Sequence, residues 1–408
     1  ALQEVVVVGY GTQEKKDVTG AMTTISEKDF NAGPITAPLQ QITGKAAGVV
    51  INQIGSEPGQ APSIRVRGIT SLIGGNDPLV VVDGIQGDLG LLNQIPPSEI
   101  LSVDILKDAS ATAIYGSRGA AGVVLVTTKK GIAGQTTVEY SGVGSLETIS
   151  KRYDVLNADQ YRQAASDRGL ADSYDFGGNT DWFDEITRRG FTQTHNLAVS
   201  GGSDKFTYRT SLTGIMQQGI IENSNFENYI ARFQGTQRAL NDKLQLTFNL
   251  NNSIRTNDYN NGDRISEAVN RRPTDPIFTN EPLHRDTGPY FIDPNSFNYL
   301  NPVARTREIV DGDRSNNLFG SLRADYEIVS GLTASAFGSW RKTNREYLNY
   351  TSARTTLQGA RNLGEVPADI TDPAERAAFL ENLPDGIATK SSALSDERLF
   401  NAILNYKK

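Results

Sequence analysis

The sequence contains no cysteine, two methionines, two tryptophans and two histidines in 408 residues. Without thiols there is no disulfide framework, thiol nucleophile or thiolate metal site, and the redox compartment is left open. His195 and His284 stand in different segments, which argues against an imidazole-based catalytic or zinc site. No apolar run approaches the ~18–20 residues that a membrane helix requires. A GxxxxGK[ST] phosphate loop is missing, Gly9 and Gly11 lack the third glycine of a dinucleotide loop, and DGDR at 311–314 lacks the EF-hand spacing. Carboxylate pairs for glycoside hydrolysis cannot be chosen from 47 acidic residues without geometry. The formal charge of -7 speaks against a nucleic-acid partner, which favours a basic face. The reading is therefore of a non-enzyme with no cofactor, no catalytic residue and no metal. No leader peptide is legible at Ala1, so either it has been removed or the numbering begins in the mature chain.

What is present is alternation. Only 38% of residues are hydrophobic, 39 are glycine, and the mean hydropathy is -0.39. A closed transmembrane barrel has this polar average, because its strands turn only alternate residues to lipid. Over 243–255 one face carries Leu244, Leu246, Phe248, Leu250 and Ile254, and the other Gln245, Thr247, Asn249, Asn251, Ser253 and Arg255. The same period of two marks 206–216, 318–326 and 332–341, with further strands expected at 137–147, 193–201, 228–237 and 398–406. That makes about eight strands, several near the ~9–11 residues that cross a bilayer when tilted. A soluble β-sandwich also alternates, but its strands average nearer ~5–6 residues.

Connection lengths sharpen the choice. GGSDK at 201–205, RALNDK at 238–243 and VSGL at 329–332 are tight turns rich in Gly, Asn, Asp and Ser. Between them lie long connections at 148–189, 257–313 and 346–395, and a shorter one near Gln217. Short and long connections in strict alternation are the habit of outer-membrane barrels, whose long loops face outside. Before this part, 17–131 reads as a mixed α/β unit. Thr36 is expected to cap a helix carrying Leu39, Ile42 and Ala46 and ending at Gly48, and Asp108 and Gly116 to bracket a second. Strands are expected at 49–53, 63–66, 79–82, 102–106 and 123–128. Arg65, Arg67, Lys107, Arg118, Lys129 and Lys130 are available to pair with carboxylates on a surrounding wall, or are ordinary solvated charge.

The stretch LKDASATAIYGSRGAAGVVLVTTKKG at 106–131 resembles the end of the plug domain in the SusC/RagA family of TonB-linked outer-membrane transporters. Its upstream companions stand in the family's order: EVVVVGYGTQEKKDVTGA at 4–21, ITGKAAGVVI at 42–51 and IRVRGITSLIGGNDPLVVVDGI at 64–85. A looser likeness continues in WFDEITRRGFTQTHNLAVSGG at 182–202. The resemblance implies a linker with a Ton box over 1–16, an α/β plug over 17–131, and over 132–408 the first part of a transmembrane antiparallel β-barrel. A plug of about 115 residues suits a lumen of roughly 22 strands, so the functional chain is expected to continue past Lys408. A closed eight-stranded barrel with its plug hanging outside is the other arrangement.

Four successive valines prefer extended structure, and near a terminus they can add a strand to a partner's sheet edge. In the resembled family the place of Glu4, Val5, Val6, Val7, Val8, Gly9 and Tyr10 holds the Ton box gripped by TonB; the alternative is a first strand of the plug itself. By resemblance the protein sits in the outer membrane of a Gram-negative, Bacteroidota-type cell and imports oligosaccharides or peptides. Its implied partners are TonB, a SusD-like lipoprotein lid, outer-membrane lipid, a glycan or peptide ligand, and a second such pair in a dimer. A non-transporting subunit of a barrel-assembly or secretion complex is the alternative function, and a soluble β-rich binding protein or enzyme a third. Ten loop aromatics, Tyr174, Phe176, Trp182, Phe183, Tyr259, Tyr290, Phe291, Tyr299, Tyr347 and Tyr350, either stack on sugars or pack their own loops.

Overall fold

The protein is described by a computed structural model over residues 5–8, 11–14, 22–53, 55, 57–66, 68, 75–107, 113–170, 174–260, 263–279, 289–291, 293, 300–352, 355, 372, 374–375, 378 and 386–406, with 5–8, 11–14 and 113–114 as backbone only. The leading part contains β1 (Val5–Val8), β2 (Gly11–Glu14), β3 (Met22–Ser26), β4 (Val49–Asn52), β5 (Ser63–Val66), β6 (Leu79–Val82), β7 (Ile85–Gly87), the short helix α1 (Leu89–Leu92), β8 (Ile100–Leu106) and β9 (Val123–Thr128). A five-stranded mixed sheet runs β3-β8-β9-β6-β7, with β6 and β9 parallel, while β1 pairs β2 and β4 pairs β5. Both faces of the central strands are covered, which explains the continuous apolar runs LVVV in β6 and VVLV in β9. Val80, Val82, Val124 and Val126 pack with Leu39, Ile42 and Ile64 on one side. Leu79, Val81, Val123 and Leu125 pack with Leu106 and Tyr115 on the other.

Two local expectations are corrected. The helix expected from Thr36 to Gly48 is a single 3-10 turn, Pro38–Ile42, with Ala37 at its cap. Gln40 Oε1 takes the backbone N–H groups of Thr36 and Ala37, so the threonine does no capping, although Leu39, Ile42 and Ala46 are buried as their spacing predicts. Gly116 adopts a left-handed φ of 61° inside the 3-10 segment Ala113–Gly119 and kinks it without ending it. Asp108 lies outside the described residues. The sequence reading missed β7, although Asp83 and Gly84 join Val82 to Ile85 with positive φ at both positions, the favoured two-residue hairpin chemistry.

The remainder is one antiparallel sheet in chain order: β10 (Gly134–Glu147), β11 (Gly190–Gly202), β12 (Phe206–Gln218), β13 (Asn225–Ala239), β14 (Leu244–Asp258), β15 (Ile309–Val329), β16 (Leu332–Ser352) and β17 (Gly386–Tyr406). All eight expected strands are present. The last three are 21 residues long, so the expected loop 346–395 shrinks to 353–385. The added lengths, such as KTNREYLNYTS, are polar on both faces, and backbone pairing continues where alternation has stopped.

The faces of this sheet are inverted relative to a soluble protein. On β12, Arg209, Ser211 and Thr213 are buried while Leu212 is 60% exposed. On β14, Asn249, Asn251 and Ser253 are buried while Phe248 and Leu250 are exposed. A sandwich would hide the leucines, each worth about 1.5–3 kcal/mol when removed from water. Here the polar face packs on the leading unit, and Phe319 of β15 joins that unit's core. The outer apolar face is therefore one that acyl chains, not water, would cover. Strands β10 and β17 are not paired with each other, so the sheet is not the small closed barrel with its plug outside.

Candidate functional site

The junction between the leading unit and the wall is built from wall arginines and plug carboxylates. Glu99, at the end of the 3-10 turn Pro97–Glu99, accepts from Arg209 Nε at 2.8 Å and Nη2 at 2.9 Å, and from Asn196 Nδ2 at 3.2 Å. The two side chains are 1% and 6% exposed, so this is a bidentate, desolvated pair. Burial alone would push the Glu99 carboxyl up, but the hydrogen bonds and charge of Arg209 outweigh it and hold the group below the ordinary carboxylate range. One turn of sheet away, Asp83 accepts from Thr128 N at 3.0 Å and from Arg232 Nη2 at 3.0 Å. Its φ of 50° is a conformation that aspartate tolerates better than most residues, and it aims the carboxylate at the wall. Arg341 on β16 approaches Asp88 at 3.5 Å, and Asn251 Nδ2 donates to Gln94 O at 3.0 Å.

The expected polarity is thus reversed. Arg65 pairs with Asp77, Lys129 with Glu27, Lys107 donates to Ala47 O and Arg118 to Gln86, all within the leading unit. Among the described residues Lys130 reaches no wall carboxylate, and Arg67 lies outside them. The signal that would have found the true pairs is an arginine in the inward phase of a strand otherwise lined by Ser, Thr and Asn. Arg209 and Arg232 both have that phase, and a buried guanidinium requires a partner.

At the far end of the sheet, the long connections fold into a cap. It contains the helices α2 (Ala158–Ser166), α3 (Trp182–Ile186), α4 (Asp263–Asn270) and α5 (Pro302–Glu308). Their capping signals are legible: Asn157 with Gln160 forms a capping box, Asp181 caps α3, and Asn301 precedes Pro302. Arg271 lies 5.5 Å from the Trp182 ring and 5.8 Å from Phe291, while Arg272 lies 5.3 Å from Tyr174 and 5.1 Å from Phe176. Asp275 receives both guanidiniums, at 2.9 and 3.1 Å. Trp182, Phe183 and Tyr290 are buried, and Tyr259 is hydrogen-bonded to Asp313, its phenol pushed up to about 12 by burial and by that carboxylate. These rings pack their own loops. Tyr299 and His284 lie outside the described residues. His195 is on the outer face, its Nδ1 2.8 Å from the Tyr140 hydroxyl. Among the described residues no cluster could hold a metal ion.

Of the terminal segment, Val5–Val8 form a strand paired in antiparallel register with Gly11–Glu14, from Val5 with Glu14 to Val8 with Gly11. Glu4, Gly9 and Tyr10 lie outside the described residues.

Comparison with known proteins agrees with this architecture. The family described as TonB-dependent Receptor Plug Domain matches residues 14–123. The TonB-dependent receptor SusC of Bacteroides thetaiotaomicron is 36% identical over 352 residues, covering 80% of this chain and 35% of that protein. The TonB-dependent receptor P26 of Formosa agariphila is 38% identical over 338 residues, covering 80% of this chain and 33% of that one. The chain therefore spans about a third of the length of these relatives. In structure it is similar to the RagAB peptide importer in its open-open state, with a TM-score of 0.70 at 23% identity over 86% of this chain and 43% of that one, a likeness of fold. With a plug-type sheet seated on the polar face of an apolar-outward antiparallel wall, and with these relatives, the chain belongs to the SusC/RagA family of TonB-linked proteins of the outer membrane.

Proposed function

We propose that this chain supplies the plug and part of the wall of a TonB-dependent importer of oligosaccharides or peptides, working beneath a SusD-like lipoprotein lid. The observation that carries the reading is the plug–wall junction. A compact sheet is held against the wall chiefly by polar pairs, Glu99–Arg209 and Asp83–Arg232, with local apolar contact at Phe319 and Phe337 and no continuous apolar seam. Such pairs can be exchanged for water when force is applied, whereas a fused hydrophobic interface resists displacement. The chain divides on this reading into a linker over 1–16, a plug over 17–131 and wall over 132–408. On this reading the edges of β10 and β17, unpaired among the described residues, are sealed by further strands in the assembled wall, because unpaired backbone groups in lipid cost several kcal/mol each.

In this reading Glu4, Val5, Val6, Val7, Val8, Gly9 and Tyr10 form the Ton box. The extended backbone of Val5–Val8 favours strand addition to the edge of TonB's sheet, and TonB then pulls the plug with force drawn from the proton gradient. Nothing is chemically transformed. Val6→Pro removes a donor from that edge, and energised uptake by the full transporter should be abolished while outer-membrane insertion is unchanged. Undiminished uptake by Val6→Pro and Val7→Pro would overturn the assignment.

A further inference from the structure

Resting on the importer reading, the inner wall just outside the plug's α1 carries an arginine arrangement that names a class of cargo. Arg255 on β14, Ser315 on β15 and Arg345 on β16 are direct cross-strand partners, so the two arginines flank a serine in one row of the sheet. Two rows toward the plug, on the same face, stands Arg341. With Asn93 of the plug they line a cleft of about 160 Å³ whose lining contains three arginines and no carboxylate. Arg341 and Arg345 have acidic neighbours: Arg345 Nε donates to Asp313 at 3.1 Å, and Arg341 lies 3.5 Å from Asp88 and 3.9 Å from Glu397. Asp313 is also engaged by Tyr259 and Asn257. Arg255 differs. Its side chain is half-buried, makes no hydrogen bond or ion pair among the described residues, feels Asp313 only at longer range, and has its Nε shielded without a partner, as are Arg341 Nε and Asn93 Oδ1. A shielded Nε–H with no acceptor is unfavourable unless something accepts from it.

We propose that this cleft seats a planar anionic group, a carboxylate, carried by the cargo. A volume equal to roughly five waters admits one such group and its immediate neighbours, not a whole oligomer. Guanidinium matches a carboxylate with parallel N–H donors, and a cleft with low-dielectric walls strengthens that attraction. The chain's overall charge of -7 makes the local basic lining selective, not a product of composition.

The test is titration calorimetry of the full transporter in detergent with four probes of equal length: hexagalacturonate, maltohexaose, hexaglutamate and hexaglutamine. At least one acid should bind about tenfold or more tighter than its uncharged counterpart, as charge-assisted hydrogen bonds imply. The preference should shrink as salt is raised. Hexagalacturonate winning assigns the anion to a glycan and hexaglutamate winning assigns it to a peptide. Arg255→Gln should remove most of the preference and Arg255→Lys only part, both with the heat-resistant folded band of the parent and unchanged binding of the uncharged probes. Equal binding of charged and uncharged probes, no binding of either acid, or Arg255→Gln behaving as the parent would overturn the proposal. If maltohexaose enters in a Val6-dependent way while neither acid binds, the importer stands and the anion preference falls. If Val6→Pro imports normally, the importer falls whatever the cleft binds.

Discussion

Arg209 and Glu99 show how much one inward-facing side chain can decide. Removing Arg209 alone leaves Glu99 buried with only Asn196 for company, which should loosen plug seating by about 3–5 kcal/mol. Replacing both, as Arg209→Met with Glu99→Gln, removes the uncompensated charge and should recover most of that loss. The urea midpoint for plug release, followed by hydrogen exchange of β8 and β9, distinguishes the two. Equal midpoints for the single and double variants would mean that the pair is incidental. The same carboxylate sets a pH response. Its folded-state pKa lies below the ordinary value of 4.5, so its contribution is complete above about that pH and is lost as pH falls through the lowered folded value. Protease access to the plug should therefore be flat between about pH 5 and 8 and rise below about pH 4, and Glu99→Gln should be more open than the parent at neutral pH and blunt the acid-dependent rise.

At the level of elements, the link from plug to wall is the tightest passage. A Cβ on Gly131 would stand 2.3 Å from the Tyr208 carbonyl oxygen and 2.6 Å from its nitrogen, and backbone in a paired strand cannot step aside. Gly131→Val should destabilise the assembled protein by about 1–3 kcal/mol. Gly144→Ala, whose added carbon meets only the Phe191 ring edge at 3.8 Å, should stay within about 0.5 kcal/mol. Loss of the heat-resistant folded band in the first variant and not the second is the measurement. Elements were legible where one face had a reason to differ from the other. The lipid-facing parts of all eight wall strands and the five called plug strands could be read because Leu212 against Ser211, or the run Leu79–Val82, records the environment in the residue type. The outer halves of β15, β16 and β17 could not, because both of their faces are largely polar and no alternation marks them, although backbone pairing and contacts such as Arg345–Asp313 hold them. Inward phase marks Arg209 and Arg232 as in need of partners, but not which carboxylates supply them. Residues 83 and 232 are distant in sequence, and nothing local in either one marks its partner.

For the molecule as a whole, the side that faces outward decides its surroundings. Leu212 lies at the middle of β12 on the apolar face, beside Leu197 of β11. Leu212→Arg should cost about 2–4 kcal/mol of folding stability in lipid vesicles, with a much smaller effect in water-filled parts of the wall. Ser203→Arg in the tight turn should be neutral by the same urea titration. If both substitutions were tolerated equally, that face would not contact hydrocarbon.

The length of the last three strands has its own consequence. Twenty-one residues at ~3.4 Å each, tilted by ~45°, rise ~50 Å, while the hydrocarbon layer is only ~30 Å thick. About 20 Å of continuous sheet therefore stands clear of the bilayer as a stiff turret. Under the importer reading, cargo arriving from the medium would meet this stiff ladder along one side of its entrance, a boundary fixed by strand geometry instead of by the momentary posture of flexible arms.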